Sequence, residues 1–190
     1  MARIVLVTGG SRSGKSAHAQ RLAESLPGRR VFVATCPALD GETRERIRRH
    51  QEARARADWH TIEETADLAE ALTTADGFDV VLVDCLTLWI GNRMHEAETR
   101  GGEVTEDAIA LRCGEILEAA RRRKGTVIFV TNEVGMGIVP DNAMARRFRD
   151  LAGRCNQTMA AGADEVLLLT CGIPLTLKRT AVRGGRRKKA

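Results

Sequence analysis

Short apolar runs rich in β-branched residues recur along the chain at 4–7 (IVLV), 31–34 (VFVA), 80–83 (VVLV), 127–130 (VIFV) and 166–169 (VLLL). Each run is continuous rather than alternating, which is the pattern of a strand buried on both faces. Helix-compatible stretches lie between them, around 15–26, 42–56, 64–75, 105–124 and 142–162. Strands alternating with helices predict a doubly wound α/β architecture, a mostly parallel sheet with helices on both faces, because parallel neighbours need crossover connections. A further run at 175–178, just past Pro174, predicts a hairpin with the strand before it. The polar, glycine-bearing stretch 92–104 (NRMHEAETRGGEV) predicts a surface loop. No linker or internal repeat breaks residues 1–178, so one domain is expected there, followed by a basic, disordered tail over 179–190.

Composition narrows the class. The 190 residues are 43% hydrophobic and 29% charged, as in a globular protein able to bury one substantial core. The apolar runs fall far short of the roughly 20 residues of a membrane span. The opening MARIVLVTGG carries no signal-peptide pattern, so no membrane span and a cytoplasmic location are expected. Cys36, Cys85, Cys113, Cys155 and Cys171 contain no CxxC pair, which argues against a disulfide framework or a zinc knuckle and for reduced thiols in or beside the core.

The formal charge of +5 is a property of one end. Six of the 30 basic residues fall in the last twelve, RTAVRGGRRKKA, leaving 24 basic against 25 acidic residues in the rest. A near-neutral body with only 3% aromatic residues has little with which to hold or stack nucleic acid, and no nucleic-acid partner is expected.

Chemistry enters at GGSRSGKS, which matches G-x-x-x-x-G-K-[ST] in full, directly after the strand IVLVT and at the head of a helix. The residues are Gly9, Gly10, Ser11, Arg12, Ser13, Gly14, Lys15 and Ser16. Glycines let such a loop turn its N–H groups toward phosphate oxygens, aided by the positive helix end. Lys15 is placed to reach the terminal phosphates and Ser16 to ligate Mg²⁺. Asp84 ends the strand DVVLVD, where open α/β sheets place ligands, and is the second candidate for Mg²⁺; an ordinary turn aspartate is the competing reading. These features point to phosphoryl transfer, nucleotidyl transfer or nucleotide hydrolysis without naming the substrate.

The segment RERIRRHQEARAR, residues 44–56, sets His50 among six arginines. As a helix with Asp40 as N-cap, it would place Ile47, His50, Gln51 and Arg54 on one face. Flanking cations disfavour imidazolium, leaving a neutral nitrogen with a free lone pair beside guanidinia able to hold a phosphate. The pairs Glu42–Arg46, Glu45–Arg49 and Glu52–Arg56 also describe a solvated, salt-bridged helix, and the residues alone leave both readings open. His18, His60 and His95 have no metal-ligand spacing with one another or with cysteine.

The blocks ATCPALDGETRERIRRHQ, DWHTIEE, VDCLTLWIGN, TNEVGMGIVP and RFRDLAGRCNQTMAAGADEVLLLTCGIPL follow the phosphate loop in order. Together they resemble the bifunctional adenosylcobinamide kinase / adenosylcobinamide-phosphate guanylyltransferase family of cobalamin biosynthesis, over nearly the whole chain to about Lys178. The resemblance implies a P-loop NTPase with a RecA-like, mostly parallel sheet, acting as a homotrimer. It implies phosphorylation of a corrinoid substrate, adenosylcobinamide, on the hydroxyl of its aminopropanol arm, with ATP and GTP as substrates and Mg²⁺ as cofactor. GMP from GTP is then carried on a histidine, here His50, to adenosylcobinamide phosphate, with release of pyrophosphate. Besides the phosphate loop, it implies nucleotide contacts at Ala34, Thr35, Cys36, Gln51, Glu52, Ala53, Arg54, Glu63 and Asp84. Glu63 is expected to accept from guanine N1 and N2; a helix-start acid is the alternative. Thr131, Asn132 and Glu133, after the fourth apolar run, are candidates for corrinoid or phosphate contact, with shaping of the glycine-rich loop around Gly135 and Gly137 as the alternative.

Overall fold

The computed structural model of the chain describes residues 1–37 and 58–180. The predicted helix over 42–56, with His50, Gln51, Glu52, Ala53 and Arg54, lies outside those residues. In order, the elements are β1 (Arg3–Gly9), α1 (Lys15–Glu24), β2 (Arg30–Ala34), β3 (Trp59–Glu63), α2 (Leu68–Thr74), β4 (Val80–Asp84), α3 (Leu86–Thr99), α4 (Glu106–Arg122), β5 (Thr126–Val130), α5 (Ala143–Gly162), β6 (Glu165–Thr170) and β7 (Ile173–Arg179). The strands form one seven-stranded sheet in the order β3-β2-β4-β5-β1-β6-β7. All neighbours are parallel except β6 and β7, the expected hairpin, which pair antiparallel.

Each apolar run supplies both faces of the sheet. Ile4 and Leu6, Val31 and Val33, Val81 and Val83, and Val127 and Phe129 point into a core shared with α2, α3, α4 and α5. Their neighbours Val5 and Val7, Phe32 and Ala34, Val80 and Leu82, and Ile128 and Val130 point into a second core with Ala19 and Ala23 of α1. Side chains alternate across a strand, so a strand covered on both sides must be apolar at every position.

Two elements depart from expectation. β3 escaped the apolar pattern because it is an edge strand in which His60 and Glu63 are exposed and the other positions only partly buried. The loop expected over 92–104 is instead helical through Thr99. Only Leu86, Thr87, Trp89 and Ile90 of α3 are buried, while its polar half carries Glu96 between Arg93 and Arg100, both ion-paired to it. His95 is therefore on a helix. The turn comes later, where Gly101 (φ 71°) and Gly102 donate to the carbonyls of Glu98 and Ala97.

The amino edge of the sheet is held by charge. Asp164 accepts from Arg121 at 2.5 and 2.9 Å and from the Ile4 N–H at 2.7 Å. Glu165, 3% exposed, pairs with Arg3 and Arg179. Arg123 donates to the carbonyls of Leu72, Ala75 and Phe78, satisfying the carboxyl end of α2. Cys85, Cys113 and Cys155 are buried, Cys36 is partly buried and Cys171 is exposed, so the core expectation holds for three thiols.

Candidate active site

The phosphate loop leaves β1 at the centre of the carboxyl edge and ends on α1. Gly14 stands before the helix at φ 89°, and a Cβ there would come 3.3 Å from the Gly172 Cα, so both conformation and space call for glycine. The loop is tied on two sides. Gly172 N–H donates to the Ser13 carbonyl at 2.9 Å, and Glu133 N–H donates to the Gly9 carbonyl at 3.0 Å. Lys15 folds back over the loop, its Nζ donating to the Gly10 carbonyl at 3.1 Å.

The electrostatics put Lys15 against the end of β4. Burial lowers its pKa, opposed by the nearby Cys85 and Asp84. Burial raises the Cys85 thiol to about 11, with the Asp84 charge adding to the effect, so Cys85 is a neutral packing residue and no nucleophile. Asp84 is thus the carboxylate that shares a field with the loop lysine. Among the described residues no three His, Cys, Asp or Glu side chains converge to hold a metal by themselves.

Register places the remaining candidates. Glu63 aligns with Ala34, Ala34 with Asp84, Asp84 with Val130, and Val130 with Val7, forming one row along the carboxyl edge. Strands lie roughly 4.8 Å apart, so Glu63, four strands from β1, is about 19 Å along the sheet from the root of the phosphate loop. Glu63 is thereby separated from the phosphates and set at the far end of the edge. It closes a strand, so the helix-start reading does not hold.

Thr35 is fully buried and serves as a brace. Its Oγ1 accepts from Cys85 N–H at 2.7 Å and donates to the Cys85 carbonyl at 2.8 Å, locking the end of β2 to the turn after Asp84. Asn92 on α3 donates to the Thr35 carbonyl at 2.9 Å and the Thr65 carbonyl at 3.1 Å. Sequence reasoning passed over Asn92 because it lay in the stretch read as a loop.

Across β5 a second polar network holds the loop that begins with Thr131. Thr131 Oγ1 donates to Asn156 Oδ1 at 2.7 Å and lies 3.3 Å from Thr87 Oγ1; Thr87 Oγ1 accepts from Asn132 N–H at 2.7 Å, and Asn156 Nδ2 donates to the Asn132 carbonyl at 3.0 Å. Thr87 and Asn156 were also missed, since a polar residue on the inner face of a helix is not told from a surface one by spacing alone. The buried oxygens Thr8 Oγ1, Ser13 Oγ and Asn132 Oδ1 have no hydrogen-bond partner, and all three sit next to Gly9 in sequence or through the loop contacts. His18 stays on α1 with its pKa lowered by burial and by Arg21, and His60 stacks on Phe78 at 5.3 Å.

A strand, a glycine loop closed by Lys15 and Ser16 at a helix head, and an acid at the end of a neighbouring parallel strand define a P-loop nucleotide-binding α/β protein. Solved structures agree on the fold. A KaiC-like protein of Pyrococcus horikoshii superposes with a TM-score of 0.52 at 15% identity, covering 96% of this chain and 82% of its own. An ATPase of a bacterial type III secretion system gives 0.58 at 12%, covering 88% of this chain and 51% of its own.

The sequence is more specific. It matches the model of the cobinamide kinase / cobinamide phosphate guanyltransferase family over residues 5–177. The bifunctional adenosylcobalamin biosynthesis protein CobU of Salmonella typhimurium is 42% identical over 183 residues, covering 92% of this chain and 99% of its own. CobU of Escherichia coli is 38% identical with the same coverage, and CobP of Pseudomonas aeruginosa is 37% identical over 174 residues. The chain belongs to this family.

Proposed function

We propose that the chain carries out both activities of its family, phosphorylating cobinamide and then guanylylating cobinamide phosphate, with GMP carried on His50. The observation that carries this reading is the phosphate loop with Lys15 set against Asp84, in a chain matched by the family along nearly its whole length. In the kinase step the acceptor hydroxyl attacks the terminal phosphorus and the nucleoside diphosphate departs. Lys15 and the loop N–H groups stabilise the charge that gathers on the phosphate oxygens. The Ser16 hydroxyl and the Asp84 carboxylate are hard oxygen donors suited to Mg²⁺, with substrate phosphates completing the set. Mg²⁺ bound there supplies charge neutralisation across the phosphates.

In the second step a His50 nitrogen attacks the α-phosphorus of GTP, pyrophosphate leaves, and a phosphate oxygen of cobinamide phosphate then displaces histidine to give cobinamide-GDP. The fit of this step to the residues is that Glu63 stands at the far end of the edge, where a carboxylate can accept from guanine while the triphosphate lies on the loop. Gln51, Glu52, Ala53 and Arg54 next to His50, together with Ala34 and Cys36 at the end of β2, complete the proposed nucleotide surface, with Thr35 between them buried as the brace beneath it. Residues 1–178 are read as one catalytic domain, supported by the single sheet that joins all seven strands. We read the assembly as a homotrimer and the location as cytoplasmic; no helix among the described residues is long and apolar enough to cross a membrane.

Incubation with GTP labelled at the α-phosphate should leave an acid-labile, alkali-stable GMP on the protein, and His50→Ala should abolish it. Label that persists on His50→Ala would overturn the carrier assignment. Nucleotide turnover with no covalent label at all would favour a simple P-loop kinase or ATPase.

A further inference from the structure

We propose that Glu133 is the catalytic base of the kinase step, taking the proton of the acceptor hydroxyl as that oxygen bonds to the terminal phosphorus; this rests on the cobinamide kinase activity proposed above. An alcohol that attacks phosphorus must give up its hydrogen. A carboxylate within hydrogen-bond reach is one of the side chains that can receive it.

The backbone sets Glu133 on the phosphate loop. β1 and β5 run in register to Val7 and Val130, and their pairing continues past that point: Thr131 N–H donates to the Val7 carbonyl and Glu133 N–H to the Gly9 carbonyl, both at 3.0 Å. Lys15 Nζ donates to the carbonyl of the next residue, Gly10, at 3.1 Å. The loop lysine and the Glu133 backbone therefore sit on successive carbonyls of one loop, whose Cα atoms are about 3.8 Å apart. The bonds among Thr87, Thr131, Asn132 and Asn156 fix the chain leading into Glu133.

The carboxylate is oriented with one oxygen left over. Oε1 accepts from Gly135 N–H at 2.6 Å, and Oε2 has no partner among the described residues. Glycine at 135 leaves room for this arrangement, since a Cβ there would come 2.9 Å from Oε1. Glu133 is partly exposed, so a proton taken up there can pass on to water. Other bases are assigned elsewhere or point elsewhere. Asp84 is the Mg²⁺ donor, His50 serves the guanylyl step, and Glu63 lies about 19 Å along the sheet from the root of the loop. His18 takes its field from Arg21 and from Glu165, which stands at the amino edge.

In the step, the hydroxyl oxygen bonds to the terminal phosphorus while the bond from that phosphorus to its bridging oxygen breaks. The nucleoside diphosphate leaves with the bonding pair, and the hydroxyl proton moves to Glu133 Oε2 and then to solvent.

Glu133→Gln tests this assignment, because glutamine keeps a side-chain oxygen for Gly135 N–H and loses only the basic one. In the kinase assay its kcat should fall by about 10²- to 10⁴-fold. The KM values for cobinamide and nucleotide, the α-GTP labelling and the thermal unfolding midpoint should stay at wild-type values. A wild-type kcat in Glu133→Gln would overturn the proposal and leave the proton to the phosphate oxygens. Equal losses of kinase rate and α-GTP labelling, or a rise in KM alone, would also overturn it, giving Glu133 only a loop-shaping role. Wild-type enzyme inert toward cobinamide would overturn the kinase reading itself, and the proposal with it.

Discussion

Asn156 is expected to hold the site together from outside it, and Asn156→Ala measures how much. The side chain accepts from the buried Thr131 hydroxyl at 2.7 Å and donates to the Asn132 carbonyl at 3.0 Å. Truncation leaves Thr131 only the Thr87 oxygen at 3.3 Å and strips the Asn132 carbonyl of its side-chain donor. Two neutral hydrogen bonds at about 0.5–1.5 kcal/mol each put the loss at roughly 1–3 kcal/mol. In a chain of this size a 2 kcal/mol loss lowers Tm by about 4–8 °C. Asn156→Asp should not rescue, because it keeps an acceptor for Thr131 but turns a second acceptor toward the Asn132 carbonyl. Thermal unfolding followed by circular dichroism reads the loss. A double-mutant cycle with Thr131→Val isolates the pair, for which a coupling on the order of 1 kcal/mol is expected. Function should follow: the Glu133 N–H bond to Gly9 depends on the same loop, so the nucleotide KM should rise severalfold in Asn156→Ala. Additive stability losses in the cycle, together with an unchanged nucleotide KM, would refute the reasoning.

Other outcomes follow from single contacts. Lys15→Ala should lower kcat for phosphoryl transfer by about 100-fold or more without loss of helical signal, since the lysine stabilises charge at the loop and carries no core packing; a variant within threefold of wild type would remove that role. Arg123→Leu should cost about 2–4 kcal/mol in urea unfolding, because three carbonyls at the end of α2 lose a charged donor; a shift below 0.5 kcal/mol, on the order of a surface change, would refute it. Burial raises the pKa of Asp164 and Glu165, but their hydrogen bonds, to Arg121 and Ile4 N–H and to Arg179 and Arg3, outweigh it and hold both carboxyls below their ordinary values. Folded pKa values below the unfolded ones mean that this stability is present above about pH 4 and lost as pH falls through the folded values. Glu165→Gln should therefore lower stability at pH 7 and flatten the decline below about pH 4, and an acid limb identical to wild type would exclude the assignment.

Much of the sheet was legible in sequence because its strands are buried on both faces. Residues such as Val80, Val81, Leu82 and Val83 must all be apolar, and a run of that kind is hard to mistake. The phosphate loop was legible for a different reason. Its glycines and Lys15 are required by backbone geometry and phosphate charge at fixed spacing, so the motif survives without knowledge of neighbours. β3 and α3 were not legible: β3 is an edge strand whose polar positions meet water, and no helix was expected over Leu86–Thr99, the polar half of which read as loop.

By itself, then, the sequence determined the alternation of strands and helices, the β6–β7 hairpin, the phosphate loop with Lys15 and Ser16, and the blocks that mark the family. Tertiary structure decided the strand order, and with it which residues share the carboxyl edge. Asp84 contributes to the field at Lys15, and Glu63 stands four strands from β1, only because β4 inserts between β2 and β5. Thr87, Asn92 and Asn156 acquire their bracing roles in the same way. Their partners are 24 to 57 positions distant in sequence, and a hydrogen bond depends on separation in space, to which local spacing is blind.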